Sequence, residues 1–180
     1  KLADFLLFAE PDSLLLLKGY AGTGKSSLVG ALVRTLAELG QKCVLMAPTG
    51  RAAKVFSSYA GQKAYTIHKK IYRQKRFSNE LVGFLPADNL HKHTLFLVDE
   101  ASMISNDGWD SSRFGSGRLL EDLIHYVYAG EDCHLILLGD EAQLPPVRET
   151  FSPALDPDLL EGYGLQVEQL CLTQVVRQAE

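Results

Sequence analysis

Residues 19–26 read GYAGTGKS and satisfy G-x-x-x-x-G-K-[ST] at every fixed position. The apolar run 14–18 precedes them, and Leu28, Leu32, Leu36 and Leu39 follow at helical spacing. Strand, glycine-rich turn and helix in that order form the context in which this pattern cradles phosphate. Glycine lets the backbone wrap tightly enough for successive N–H groups to face one anion, and the start of the helix adds its dipole. The expected nucleotide-binding set is Gly19, Ala21, Gly22, Thr23, Gly24, Lys25, Ser26 and Ser27. Within it, Lys25 reaches the β- and γ-phosphates and the Ser26 hydroxyl coordinates Mg²⁺.

Two further segments end a buried run in polar chemistry. Residues 95–100 read LFLVDE. Asp99 at the strand end is placed to hold Mg²⁺ through its water shell, and Glu100 can polarise an attacking water. Residues 137–147 read LLGDEAQLPPV. Gln143 offers a neutral donor and acceptor to a γ-phosphate or its water, Asp140 can bind metal or brace the loop, and Pro145 and Pro146 stiffen the exit.

These groups need a scaffold that brings strand ends together. Apolar strands are expected at 14–18, 43–47, 95–98, 134–138 and 167–172, with helices over the N-terminal segment and at 26–39, 51–59, 66–72 and 119–128. Gly40 is expected to end the second helix and Gly130 the last. Buried strands alternating with helices predict a parallel α/β sheet covered on both faces. Ligands bind such sheets outside the carboxyl ends of the strands, where all three motifs fall. Residues 105–117, rich in Gly, Ser and Asp, read as a mobile loop.

The 180-residue chain is 46% apolar and 22% charged, an ordinary globular composition that excludes a disordered or collagen-like chain. Its longest aliphatic runs are too short to span a bilayer, so no membrane partner is expected. Cys43, Cys133 and Cys171 are odd in number and widely spaced. They point to reduced thiols and a cytoplasmic setting. His91 and His93 flank Lys92 with no further ligand cluster nearby, so they carry no metal reading.

The net charge of −4 conceals an asymmetry: residues 39–79 hold nine Lys or Arg and no carboxylate. Such a stretch is either a polyanion-binding surface or a solvated basic face.

In combination, GYAGTGKSSL, APTGRAAK, TIHK, LFLVDEASMI, LLGDEAQLPPV and LTQVVRQ resemble, in this order, the first motor domain of superfamily 1 DNA helicases of the RecD-like, 5′-to-3′ branch. The resemblance spans residues 19–178. It implies a RecA-like P-loop NTPase fold, ATP and Mg²⁺ as cofactors, single-stranded DNA as partner, and a role in DNA repair or recombination. It implies that Pro48, Thr49, Gly50 and Arg51 meet the sugar–phosphate backbone, together with Thr66 and His68. It further implies that Gln143 couples the γ-phosphate to motion and that Arg177 approaches that phosphate. A surface salt bridge is the other reading of Arg177.

On this reading residues 1–180 are one ATPase motor domain of a longer helicase, and a second motor domain is expected beyond Glu180. The family's adenine-reading glutamine would lie upstream of Lys1. A small pin-like insert is expected at 69–94, where Tyr72 and Phe77 lie among five basic residues. A basic loop whose aromatics pack on the core is the other reading there. For the whole chain, the rivals to a motor are a nucleic-acid-binding module that keeps the ATP fold as scaffold or switch, and an RNA-directed relative.

Overall fold

The computed structural model describes residues 1–77, 80–108 and 114–174. In chain order the elements are α1 (Leu2–Phe8), β1 (Ser13–Gly19), α2 (Lys25–Glu38), β2 (Lys42–Ala47), α3 (Gly50–Ala60), β3 (Ala64–Thr66), α4 (Ile67–Ile71), β4 (Tyr72–Phe77), β5 (Glu80–Pro86), β6 (Lys92–Val98), α5 (Leu119–Tyr128), β7 (Glu131–Gly139), α6 (Pro157–Glu161) and β8 (Gln166–Leu172). Six strands form one sheet in the order β3-β2-β6-β7-β1-β8, every neighbouring pair parallel.

The apolar runs are continuous rather than alternating because both faces of this sheet are covered. Along β1, Leu14 and Leu16 enter one core with Phe96, Leu135 and the apolar sides of α4, α5 and α6. Leu15 and Leu17 enter a second core with Ile136 and the inner sides of α1, α2 and α3. The expected parallel sheet with helices on both faces, a P-loop NTPase architecture, is therefore what the chain adopts.

Several boundaries differ from expectation. β3 was not expected: its three residues are only half-buried, at the sheet edge, so no apolar run announces it. β6 starts three residues early because exposed Lys92 and His93 continue the ladder beyond its buried part. Gly40 adopts φ 69 after α2, as a left-handed helix stop requires. Gly130 does not adopt positive φ. A Cβ there would come within 2.5 Å of the Asn89 amide nitrogen, which donates to the carbonyls of Tyr126 and Val127 at the end of α5. The glycine makes room for a side-chain cap.

Between α4 and β6 the chain forms an antiparallel hairpin, β4 with β5. Its base is tied to the core beneath the sheet. The Tyr72 hydroxyl donates to buried Asp122 at 2.6 Å, and Phe84 stacks on Phe114 with ring centroids 4.5 Å apart. The segment expected as a mobile loop falls partly on residues 109–113, outside the described residues. Its described flanks are bonded: Ser105 and the Asn106 backbone donate to Glu149, and Ser116 N–H donates to Asp122. Among the described residues no helix is long and apolar enough to cross a membrane.

Candidate nucleotide and strand-binding site

The phosphate loop connects β1 to α2, and the strands beside β1 bring the other motifs to it. β7 pairs with β1 and β6 with β7, so Gly19, Asp99 and Asp140 all emerge at the carboxyl ends of three adjacent strands. A cavity of about 700 Å³ opens there, lined by residues 20–28 together with Asp99, Glu100, Gly139, Asp140, Gln143 and Leu172. Ala21, Gly22, Thr23, Gly24, Lys25, Ser26 and Ser27 all border it, and Gly19 anchors the loop from the end of β1.

The loop holds its turn with its own groups. Gly24 caps α2 at φ 85, ψ 13, a left-handed conformation that strains other residues. The Thr23 hydroxyl donates to the Tyr20 carbonyl at 2.7 Å. The Lys25 ammonium donates to the carbonyls of Gly19 and Tyr20. It is thus folded back over the loop, where an incoming phosphate can exchange for those carbonyls.

Asp99 and Glu100 follow β6. The Asp99 N–H continues the sheet by donating to Met46. Its Oδ1 accepts the Glu100 N–H at 2.9 Å, and its Oδ2 accepts the Tyr59 hydroxyl at 2.7 Å. Burial, then the charge of Asp99, pushes the Tyr59 hydroxyl well above the usual phenol range, so it stays protonated and donates. Glu100 adopts φ 54, ψ 39, a left-handed conformation that costs a non-glycine residue about 1–2 kcal/mol. Hydroxyl and carboxylate oxygens, from Ser26 and Asp99, are the hard donors that suit Mg²⁺.

Gln143 lies across the cavity. Its Oε1 accepts the Ser102 hydroxyl at 3.1 Å, which leaves the amide N–H groups as its free chemistry. Asp140 is buried, and its Oδ1 accepts the Ala142 N–H at 2.9 Å. Of the two roles expected for it, bracing the loop is the one its hydrogen bond serves. Arg177, the expected charge stabiliser, lies outside the described residues.

The expected strand-contacting residues sit on the neighbouring strands. β2 pairs with β6, and β3 with β2, Ala47 opposite Thr66. Residues 48–51, which run into α3, and 66–68, which run into α4, therefore leave the sheet side by side, on the same edge as the phosphate loop. Thr49 and Arg51 are exposed, as is Gly50, and Pro48 is half-buried. Thr49 also caps α3, accepting the Ala52 N–H at 3.1 Å, and Thr66 caps α4, accepting the Lys69 N–H at 3.2 Å. His68 is half-buried, its ring edge-on to Phe114 at 5.0 Å. Two cations flank the next ring: the ammonium groups of Lys63 and Lys70 lie 5.2 and 5.6 Å from the Tyr65 centroid.

Three residues were missed from sequence. Tyr59 carries no local signal, being forty positions from Asp99. Ser102 looks like any loop serine. Lys18 did leave one, as the charge that interrupts an apolar strand. It is 8% exposed and pairs with Glu141 at 2.6 Å. That pair ties β1 to the loop carrying Gln143 and lines a second cavity of about 420 Å³ with Phe151 and Leu155.

A family model described as an AAA domain matches residues 6–180. The chain is 31% identical over 172 residues to the ATP-dependent RecD2 DNA helicase of Deinococcus radiodurans, covering 92% of this chain and 20% of that protein. It is 30% identical over 134 residues to the ATP-dependent DNA helicase dda of Enterobacteria phage T4, covering 73% of this chain and 28% of that protein. The chain thus spans less than a third of the length of these relatives. Among solved structures, its fold is similar to a Bacteroides Pif1 helicase in complex with ADP-AlF3 and ssDNA, with TM-score 0.58 and 19% identity over 99% of this chain and 42% of that one. It is also similar to the Pif1 helicase from Candida albicans, with TM-score 0.59 and 19% identity over 98% of this chain and 40% of that one.

Proposed function

Because the chain belongs to the AAA domain family and is a superfamily 1, RecD-like helicase motor domain, we propose that it binds ATP with Mg²⁺ at residues 19–27 and turns hydrolysis into movement along single-stranded DNA. The observation that carries this reading is the single cavity in which the phosphate loop, Asp99, Glu100 and Gln143 meet, beside the strand ends that carry 48–51 and 66–68.

Each residue then has a physical task. Lys25 exchanges its two carbonyl partners for β- and γ-phosphate oxygens. Backbone N–H groups of the loop take up the remaining phosphate charge. Glu100 accepts the proton of the attacking water. The Gln143 N–H groups point to the γ-phosphate or to that water and register its departure. Magnesium, when bound at Ser26 and Asp99, offsets the charge of the phosphate oxygens. Arg177 supplies a further positive charge. Thr49, Gly50 and Arg51, with Pro48, Thr66 and His68, hold the sugar–phosphate backbone, which gives affinity without base choice and weakens with salt. The β4–β5 hairpin serves as the pin that meets the duplex. The direction is 5′-to-3′, the setting is DNA repair or recombination in the cytoplasm, and a second motor domain closes over the nucleotide.

The test is ATP turnover by the full-length protein with and without a single-stranded oligonucleotide. Strong stimulation by the strand is the expected result. Nucleotide binding with no stimulation would replace the motor by a scaffold or switch that holds nucleic acid. Stimulation by RNA over DNA of equal length would reassign the substrate.

A further inference from the structure

The Tyr59 hydroxyl lies against Asp99, one of the two residues that the nucleotide-site reading assigns to magnesium. It donates to Asp99 Oδ2 at 2.7 Å. The other Asp99 oxygen is occupied by the Glu100 N–H at 2.9 Å. Both oxygens of the carboxylate are therefore oriented, one by backbone and one by Tyr59.

The phenol is itself held in place. Its ring stacks on buried Phe56, with centroids 5.2 Å apart and planes 25° apart. Its carbonyl packs against Gly30 of α2, where a Cβ would come within 2.9 Å. α2 begins at the phosphate loop and α3 begins at the loop 48–51. Tyr59, near the far end of α3, thus joins the helix that carries the candidate strand contact to the carboxylate that serves the nucleotide.

We infer that Tyr59 is a positioning residue for the magnesium site, holding Asp99 in the orientation that receives the ion's water shell. This rests on the nucleotide-site reading above. Partners that orient a metal-ligating carboxylate are commonly worth 10- to 100-fold in metal affinity. Removing the hydroxyl leaves Asp99 held by the Glu100 N–H alone, and part of the ion's binding energy is then spent on orienting the released oxygen.

The experiment compares wild type with Tyr59→Phe, which keeps the stack on Phe56. Fluorescence of N-methylanthraniloyl-ADP is followed first in EDTA and then through a Mg²⁺ titration. The affinity in EDTA is expected within about twofold of wild type, and the half-saturating Mg²⁺ is expected to rise about 10- to 100-fold. In an Asp99→Asn background the same change is expected to produce no further rise, since Tyr59 acts through that carboxylate. Superimposable Mg²⁺ curves for wild type and Tyr59→Phe overturn the inference, as does an undiminished shift in the Asp99→Asn background. A wild type that binds the nucleotide with no response to Mg²⁺ overturns the metal assignment itself, a failure visible before the variants are compared.

Discussion

The buried Ser102 hydroxyl donates to Gln143 Oε1 at 3.1 Å, and the Ser102 carbonyl accepts the Ser152 hydroxyl at 3.0 Å. These bonds run from the segment behind Glu100 across to the loop after β7. They fix which end of the Gln143 amide faces the cavity. An amide whose oxygen is already engaged presents donors, and donors suit phosphate oxygens.

Replacing Ser102 by alanine frees that amide to turn over. Strand-stimulated ATP turnover is expected to fall by up to about tenfold, the cost of one neutral hydrogen bond in a polar site. The double variant Ser102→Ala/Gln143→Ala is expected to be no slower than Gln143→Ala alone, because both changes remove the same arrangement. Additive losses measured in steady-state assays would show that Ser102 acts elsewhere.

Glu100 combines a strained backbone with the proposed role of accepting the attacking water's proton. Glu100→Gln is expected to lower hydrolysis at least about 100-fold, the lower end of general-base contributions, with nucleotide affinity retained. Glu100→Gly removes the side chain and relieves φ 54. It is expected to be equally inactive yet more stable by about 1 kcal/mol, raising the melting temperature by about 2–4 °C. Differential scanning calorimetry reads the second effect, and a lower melting temperature would refute the strain.

Gly30 sits within α2, where alanine is ordinarily favoured by about 0.5–1 kcal/mol. Here the methyl group would press on the Tyr59 carbonyl from 2.9 Å. Gly30→Ala is therefore expected to destabilise the domain by about 1–3 kcal/mol through overpacking, and to shift Tyr59 away from Asp99. Urea unfolding measures the first, and the Mg²⁺ titration of nucleotide fluorescence measures the second.

His91 predicts an acid-sensitive contribution to stability. Burial, followed by the charges of Lys70 and Lys42, lowers its imidazole below the ordinary value. An unfolded histidine titrates near pH 6.5. Between that pH and the folded ring's lower pKa, the unfolded chain binds more protons, so stability falls as pH drops through this window. Above it His91 is neutral in both states and contributes no slope. His91→Gln is expected to lose less stability than wild type between pH 7 and pH 5 in matched urea titrations. Parallel curves would contradict the shift.

Much of the fold was legible because burial on both faces leaves a direct mark on a strand. The runs 14–17 and 135–138 needed no periodicity to be read, and helices α2, α3 and α5 showed the spacing of their buried sides. β3 and α6 escaped because a three-residue edge strand and a five-residue helix have no room for a pattern. The Asn89 cap at Gly130 escaped because glycine's smallness, unlike its positive φ, serves a neighbour that local sequence does not reveal.

The chemistry at the phosphate loop was determined by sequence alone, since a turn that wraps an anion with its own backbone needs only contiguous residues. Gly24, Lys25 and Ser26 are such a set, and Asp99–Glu100 and Gln143 each lie in the turn that follows a buried strand. The tertiary structure decided what those groups touch. Strand order placed β7 beside β1 and β6 beside β7, so Asp99 and Glu100, some seventy-five positions from the loop, share its cavity. Helix packing brought Tyr59 to Asp99 and the turn after β6 brought Ser102 to Gln143, contacts between residues forty and forty-one positions apart. A hydrogen bond depends on distance and angle, and for residues so far apart in the chain those are set by how sheet and helices pack.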